Sequence, residues 1–226
     1  MTGNTLGRSK LEGILNSVSE NDTNYRHRLM QVSLSAYLLE TVGFDKGYGE
    51  YWLTVDSRMK KNRSREAKWP ADIVLSYYEN GRKIIEIIEV ETRAIERYGG
   101  RFNNLKQKEK RADDAVYFAY LNKVMRDADE VRFSVALNAS CITDDKDFHQ
   151  QVRNFVRTFD SFGKKVNIKE HNMYLLRKNL AEFMPNNRHR DKECIKADLT
   201  RGLDSMYSNG ISSIYTAISW EKARSY

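Results

Sequence analysis

Hydrophobic and polar positions follow two different periods along the chain, and the change of period organises it. Leu11, Ile14, Leu15 and Val18 recur at helical spacing and predict a short amphipathic helix. Residues 24–42 predict a longer helix, with Gly43 placed to cap its C-terminus. The period then shortens. Residues 51–56, Tyr-Trp-Leu-Thr-Val-Asp, are aromatic and β-branched and predict a strand, and residues 58–68 predict a loop. Residues 72–78 and 83–92 predict two strands joined through Glu79-Asn80-Gly81-Arg82. Asn-Gly accepts the positive φ angles of a tight hairpin turn. Gly99-Gly100 breaks the chain before a basic helix over roughly 102–113, and strands follow at 115–121 and 131–137.

Beyond residue 140 the pattern reads as helical. Phe148, Val152, Phe155, Val156 and Phe159 mark one amphipathic helix, and Leu175, Leu176, Leu180 and Phe183 mark another that ends before Pro185. A polar connection over 186–192 leads to a final helical pair, with Ile211, Ile214, Tyr215 and Ile218 on one face. This order predicts an α/β fold: a mixed central sheet with helices on both faces. The predicted organisation is a core with its N-terminal helix over 1–140, and a helical C-terminal elaboration over 141–226 packed on the same domain.

Charge adds a direction to this picture. The chain has 226 residues and a formal net charge of +7, with 40% hydrophobic and 11% aromatic residues, a composition that suits a packed domain rather than a disordered one. Arg58, Lys60, Lys61, Arg63, Arg65 and Lys68 crowd one stretch opposed only by Glu66, and Arg101, Lys106, Lys108, Lys110 and Arg111 form a second opposed by Glu109. Such clusters suit a polyphosphate backbone, whose condensed counterions are released on binding, although a solvated charged surface has the same composition. No apolar run approaches the ~20 residues that span a bilayer, and no signal-peptide pattern opens the chain, so the expected setting is intracellular, in the cytoplasm. Cys141 and Cys194 lack metal-ligand spacing and read as ordinary thiols, and the four histidines form no zinc motif.

The candidate chemistry lies in the hairpin. Residues two apart on a strand share a face, so Glu89 and Glu91 project together while Glu86 points the opposite way. Asp72 opens the neighbouring strand, and the two arms from the turn are of similar length, so Asp72 should pair near Glu89 to Glu91. Three converging carboxylates repel one another unless a cation joins them, and hard oxygen ligands suit Mg²⁺ or Mn²⁺. A metal held there would activate water and stabilise charge on a phosphodiester. The alternative is three exposed strand carboxylates paired with nearby lysines. His27, by itself, reads as a surface or interface residue.

Trp69-Pro70-Ala71-Asp72-Ile73-Val74, followed by Ile88-Glu89-Val90-Glu91-Thr92-Arg93, resembles the PD-(D/E)xK nuclease superfamily. The likeness is to the archaeal Holliday-junction-resolvase-like branch, where a Pro-Asp-Ile-Val strand precedes an Ile-Glu-Val-Lys strand, and to small nucleases of archaeal spindle-shaped viruses. It covers about residues 24–122. The resemblance implies a restriction-endonuclease-like αβββαβ core acting as a metal-dependent DNA endonuclease, with branched DNA as a candidate substrate. It implies Asp72, Glu89 and Glu91 as catalytic, metal-binding residues, with Mg²⁺ or Mn²⁺ as cofactor. It also implies a symmetric homodimer and, for a viral protein, the host cytoplasm. Arg58, Lys60, Lys61, Arg63, Arg65, Lys106, Gln107 and Lys110 are then the expected nucleic-acid contacts.

Two departures stand out. Ala71 separates Pro70 from Asp72, and Glu91 occupies the family's lysine position, leaving Lys106 or Lys110 as the better-placed substitutes. Family members usually supply a further carboxylate from the first helix, where this chain has His27, Gln31 and Ser35, with Glu40 at the helix end and Glu20 before it. A nuclease fold kept as an inactive DNA-binding protein, and an RNA-processing nuclease, are therefore the competing expectations.

Overall fold

Asn80 and Gly81 turn the chain with φ angles of 52° and 75°, both positive, as the sequence requires of a two-residue hairpin. In the computed structural model the described residues are 25–41, 52–61, 65–94, 128–140, 144, 146–150, 152–153, 156, 169–183 and 192–226; of 39, 52–61, 65–71, 74, 87, 89, 91, 93–94, 133, 169–171, 180–181, 192–193 and 195 only the backbone is described. The turn joins β2 (Arg65–Glu79) to β3 (Arg82–Ala94) in the antiparallel register Glu79↔Arg82 through Ile73↔Ile88. On its other side β2 pairs antiparallel with β1 (Trp52–Lys61). β3 pairs in parallel with β4 (Glu130–Asn138), β4 in parallel with β5 (Lys169–Leu176), and β5 antiparallel with β6 (Tyr215–Ser219). The six strands lie in chain order across one mixed sheet. Parallel neighbours need a crossover, and residues 95–129 and 139–168 provide the chain for the two steps.

One face of the sheet packs against α1 (Tyr25–Thr41) and α2 (Lys192–Ser208). Ile73, Leu75, Tyr77, Ile84, Ile88, Val90, Ala136, Tyr174 and Leu176 meet Leu29, Met30, Leu34, Leu38, Leu199 and Met206 in one core. The alternate set, Val135, Leu137, Met173, Leu175 and Ile218, is buried as well, so the central strands are covered on both faces. Every residue of α1 from Arg28 to Leu38 is buried, polar ones included. Those polar groups are paired: Ser33 Oγ is 2.7 Å from Tyr215 Oη, and Ser35 Oγ donates to the Gln31 carbonyl at 2.7 Å. α2 reaches α1 closely at Gly202, where a Cβ would stand 2.9 Å from the Phe183 carbonyl and 3.0 Å from Leu29 Cδ1. A larger residue would push the helices apart.

The α/β class, the long first helix, the hairpin and the 131–137 strand are present. Three expectations need correction. The basic stretch 58–68 is not a loop: β1 runs to Lys61 and β2 starts at Arg65, paired through Met59↔Ala67 and Lys61↔Arg65. Leu175, Leu176, Leu180 and Phe183 do not share a helix, since the first two end β5 and the others form a 3₁₀ turn, Leu180–Phe183. Ile211, Ile214, Tyr215 and Ile218 do not share one either. Ile211 opens a second 3₁₀ turn (Ile211–Ser213), Tyr215 and Ile218 lie on β6, and a short helix, α3 (Trp220–Ser225), closes the chain. The region after residue 140 is thus not a helical elaboration alone, because two of the six strands come from it. The predicted helices over 11–18 and 102–113 and the strand over 115–121 lie outside the described residues. No described helix is long and apolar enough to cross a membrane.

Candidate functional site around Asp72

Asp72 stands where two ladders break. Towards β1 the register passes from Ser57↔Ala71 to Met59↔Ala67, so three residues of β2, Lys68-Trp69-Pro70, oppose the single residue Arg58. Pro70 has no N–H to give a ladder, which explains a bulge at this point. Towards β3 the paired register stops at Ile73↔Ile88. One residue further, Asp72 Oδ2 accepts the backbone N–H of Val90 at 2.8 Å, so a side chain takes a donor that a ladder carbonyl would otherwise hold.

The other carboxylate oxygen faces α1. His27 Nε2 lies 3.4 Å from Asp72 Oδ1, and Gln31 Nε2 lies 3.4 Å from both Asp72 Oδ1 and the Asp72 carbonyl. His27 and Gln31 are one helical turn apart and so share a face of α1. Behind them Arg28, 7% exposed, donates from Nη1 to Gln31 Oε1 at 3.0 Å. The Asp72 side chain is 13% exposed and that of His27 24%, so the pair lies at the rim of the core and within reach of solvent.

Glu89 and Glu91 are on β3, at register positions Val135 and Leu137 of β4. Continuing the β2–β3 register past Ile73↔Ile88 sets Glu89 opposite Asp72. On the other side, the pairs Val55↔Ile73 and Ser57↔Ala71 set Asp56 opposite Asp72. Three neighbouring strands therefore carry an acid at one register level: Asp56, Asp72 and Glu89. Asp56 escaped the sequence reading because only strand pairing reveals it. His27 reads from sequence as a surface or interface residue, whereas the structure sets it against Asp72. Its signal was a polar residue one turn from Gln31 at the start of a helix buried all round.

Of the basic residues, Arg58, Lys60 and Lys61 are on β1 and Arg65 is on β2, Arg58 at the bulge and the others beyond it, at the Asp72 end of β2. Arg63, Lys106, Gln107 and Lys110 lie outside the described residues, as does Cys141. Cys194 lies on α2. Among the described residues no group of three or more His, Cys, Asp or Glu side chains is placed to hold a metal ion. The nearest approach to one is the His27–Asp72 pair. Two ligands at ~2.1 Å from an octahedral ion stand ~3.0 Å apart when adjacent, so a separation of 3.4 Å fits a shared ion after a shift of a few tenths of an ångström.

A second polar cluster occupies the opposite end of the hairpin. Glu86 is 1% exposed, and its Oε1 accepts from Tyr174 Oη at 2.8 Å and from Ser134 Oγ. Asn172 N donates to the same Ser134 oxygen at 3.1 Å. Arg132 bonds Tyr77 Oη at 3.0 Å and Glu130 at 2.7 Å, and also pairs with Glu79. Burial, and then the Glu86 carboxylate, push the Tyr174 and Tyr77 hydroxyls above the ordinary tyrosine range. Burial lowers the proton affinity of Arg132, but its bonds to Glu79 and Glu130 outweigh this and raise it.

No family model, curated protein or solved structure matches the chain. The functional reading therefore rests on the residues and their geometry.

Proposed function

We propose that the chain is a divalent-metal-dependent nuclease that hydrolyses phosphodiester bonds in DNA, with a restriction-endonuclease-like core. One observation carries the reading: Asp72 sits at the parting of β2 and β3, bonded to the backbone of Val90 between Glu89 and Glu91, beneath the first helix. The order of elements supports it, with a helix, three antiparallel strands, a crossover and a parallel fourth strand. The basic arm of β1 and β2 supports DNA as the ligand, since it extends from the Asp72 end of the hairpin.

In this reading Asp72 and Glu89 hold Mg²⁺ or Mn²⁺, with Glu91 and His27 as further ligands. An imidazole among the donors favours Mn²⁺ over Mg²⁺. Once bound, the ion supplies an activated water and a counter-charge for the phosphate. Asp72 fixes the position at which the reaction occurs, because Val90 N–H holds one of its oxygens and α1 holds the other. Glu91 is an anion where related proteins carry a lysine, so the compensating positive charge on the phosphate falls to the basic residues. Acting as a homodimer on branched DNA is part of the same proposal. The rival reading, a DNA-binding protein without catalysis, draws its support from Asp72 already having donors on both oxygens.

The test is cleavage of supercoiled, branched and single-stranded DNA, with RNA as competitor, in titrations of Mn²⁺ and Mg²⁺. Asp72→Asn and Glu89→Gln should each lower the rate by at least ~100-fold, the scale of losing a group that stabilises transition-state charge. DNA binding should be nearly unchanged. Undiminished cleavage by either variant removes the assignment, and absence of cleavage by the wild type on every substrate favours the non-catalytic reading. The same protein tests the basic arm. Changing Lys60, Lys61, Arg63 and Arg65 to alanine should reduce the slope of log K against log salt by about 3 to 4. An unchanged slope means the arm does not touch phosphate.

A further inference from the structure

We infer that Arg28 and Gln31 form a positioning pair that sets the orientation of the Asp72 carboxylate. The amide of Gln31 lies between the other two groups. Its two ends have the same shape but opposite polarity, and packing alone would accept either orientation. Two neighbours decide between them. Arg28 Nη1 donates to one end at 3.0 Å, so that end must be the acceptor oxygen. The donor nitrogen is then turned towards Asp72, 3.4 Å from both its carbonyl and its Oδ1. A flipped amide would set its oxygen against the Asp72 oxygens and its N–H against the guanidinium, with both contacts repulsive.

The charge of Arg28 therefore reaches Asp72 through the polarity of an amide. Gln31 is fully buried and Arg28 is 7% exposed, so solvent screens neither, and the low local dielectric strengthens the chain of donors. Oδ1 takes its partners from α1 while Oδ2 takes the N–H of Val90 on β3. The carboxylate is thus held between a helix and a strand, and a change on the helix side must alter the bond on the strand side. The two contacts from Gln31 are long for N–H···O bonds, which leaves room for them to tighten when Asp72 turns towards a ligand. The consequence for cleavage rests on the proposed metal site, whereas the geometry of the pair does not.

The experiment uses Arg28→Met, Gln31→Met and the double variant, with Arg28→Lys as the conservative control that keeps a donor. The first readout is the backbone amide resonance of Val90 in isotope-labelled protein, which reports its bond to Asp72 whether or not the protein is an enzyme. The second is the Mn²⁺ concentration for half-maximal cleavage. Both single variants should move the Val90 resonance and raise the Mn²⁺ requirement about tenfold, the lower end of what losing a residue behind a metal ligand costs. The double variant should be no worse than Gln31→Met, since Arg28 acts through Gln31. Arg28→Lys should recover much of the effect, and it remains decisive if a methionine variant does not fold. An unmoved Val90 resonance in Gln31→Met, or an Arg28→Met effect that persists undiminished without Gln31, overturns the proposal. If the wild type neither binds Mn²⁺ nor cleaves, the nuclease reading fails, while the Val90 resonance still decides the positioning pair.

Discussion

Asp72 and Glu86 are carboxylates on adjacent strands of one hairpin, and their surroundings differ in kind. Glu86 lies inside the sheet's covered face, bonded to the hydroxyls of Tyr174 and Ser134 on β5 and β4. Every partner belongs to the sheet itself, so Glu86 ties three strands together in one register. Asp72 lies where the sheet opens, bonded to one strand and faced by a histidine and an amide from a helix. The same functional group serves the fold when hydroxyl donors enclose it and is available for chemistry when its surroundings keep an open side. Burial separates the two: Glu86 is buried, whereas Asp72 is only partly so.

That contrast can be broken first by alkali. Tyr77, Tyr174 and Tyr215 are all raised from the ordinary value of 10.0, so above pH 10 the unfolded chain loses protons that the folded chain keeps. Stability should therefore be intact below pH 10 and fall as pH rises beyond it, by up to about 1.4 kcal/mol per pH unit for each buried tyrosine. Chemical unfolding as a function of pH, followed by tyrosinate absorbance, checks this. The tyrosinate signal of the three rings should appear only together with unfolding. Their titration in the intact fold would show that the closed end is open to water.

A smaller effect sharpens the comparison directly. Glu86→Gln should cost about 1–3 kcal/mol, because a neutral amide oxygen accepts the Tyr174 and Ser134 hydroxyls more weakly than a carboxylate oxygen, and its NH₂ buries new donors. Asp72→Asn should cost less than Glu86→Gln, since its oxygen can still accept the N–H of Val90 while its NH₂, set against the donors of Gln31 and His27, lies at the partly exposed rim. Denaturant midpoints of the two variants, beside their cleavage rates, should show opposite profiles: stability lost at one carboxylate and activity lost at the other. Equal stability losses would mean that both carboxylates are structural.

How far the sequence foretold all this depends on burial. The hairpin was legible because its strands have a covered face and its turn needs Asn-Gly. β5 was not legible, since Met173, Tyr174, Leu175 and Leu176 are buried consecutively and leave no alternation to read. With Leu180 and Phe183 following at helical spacing, they imitated a helix. β6 failed for a similar reason. Ile211, Ile214, Tyr215 and Ile218 fall at i, i+3, i+4 and i+7, yet a turn beginning at Gly210, with φ of 77°, separates the first two from the strand. The basic arm read as a loop because its strands carry charge rather than an apolar face, and pairing register has no other signature in composition. Of the site, the hairpin acids were visible through local spacing. Asp56 was not, since it depends on strand register, and neither was the approach of His27 to Asp72, which depends on how a helix lies across the sheet.

The Asn80-Gly81 turn also bears on the order in which the molecule assembles. Hairpins of this type close in about 1–10 μs, because their ends meet through a short loop. The bond from Val90 to Asp72 spans 18 residues of chain, whereas the contact from Gln31 to Asp72 spans 41 and the one from Ser33 to Tyr215 spans 182. Loop-closure entropy makes the longer contacts later on average, and the parallel pairing of β3 with β4 must wait for its crossover as well. Loop-closure entropy alone therefore favours the meeting of Asp72 and Val90 before α1 docks on the sheet. A chain captured at that stage would hold its acids in register without the histidine and amide that later face them.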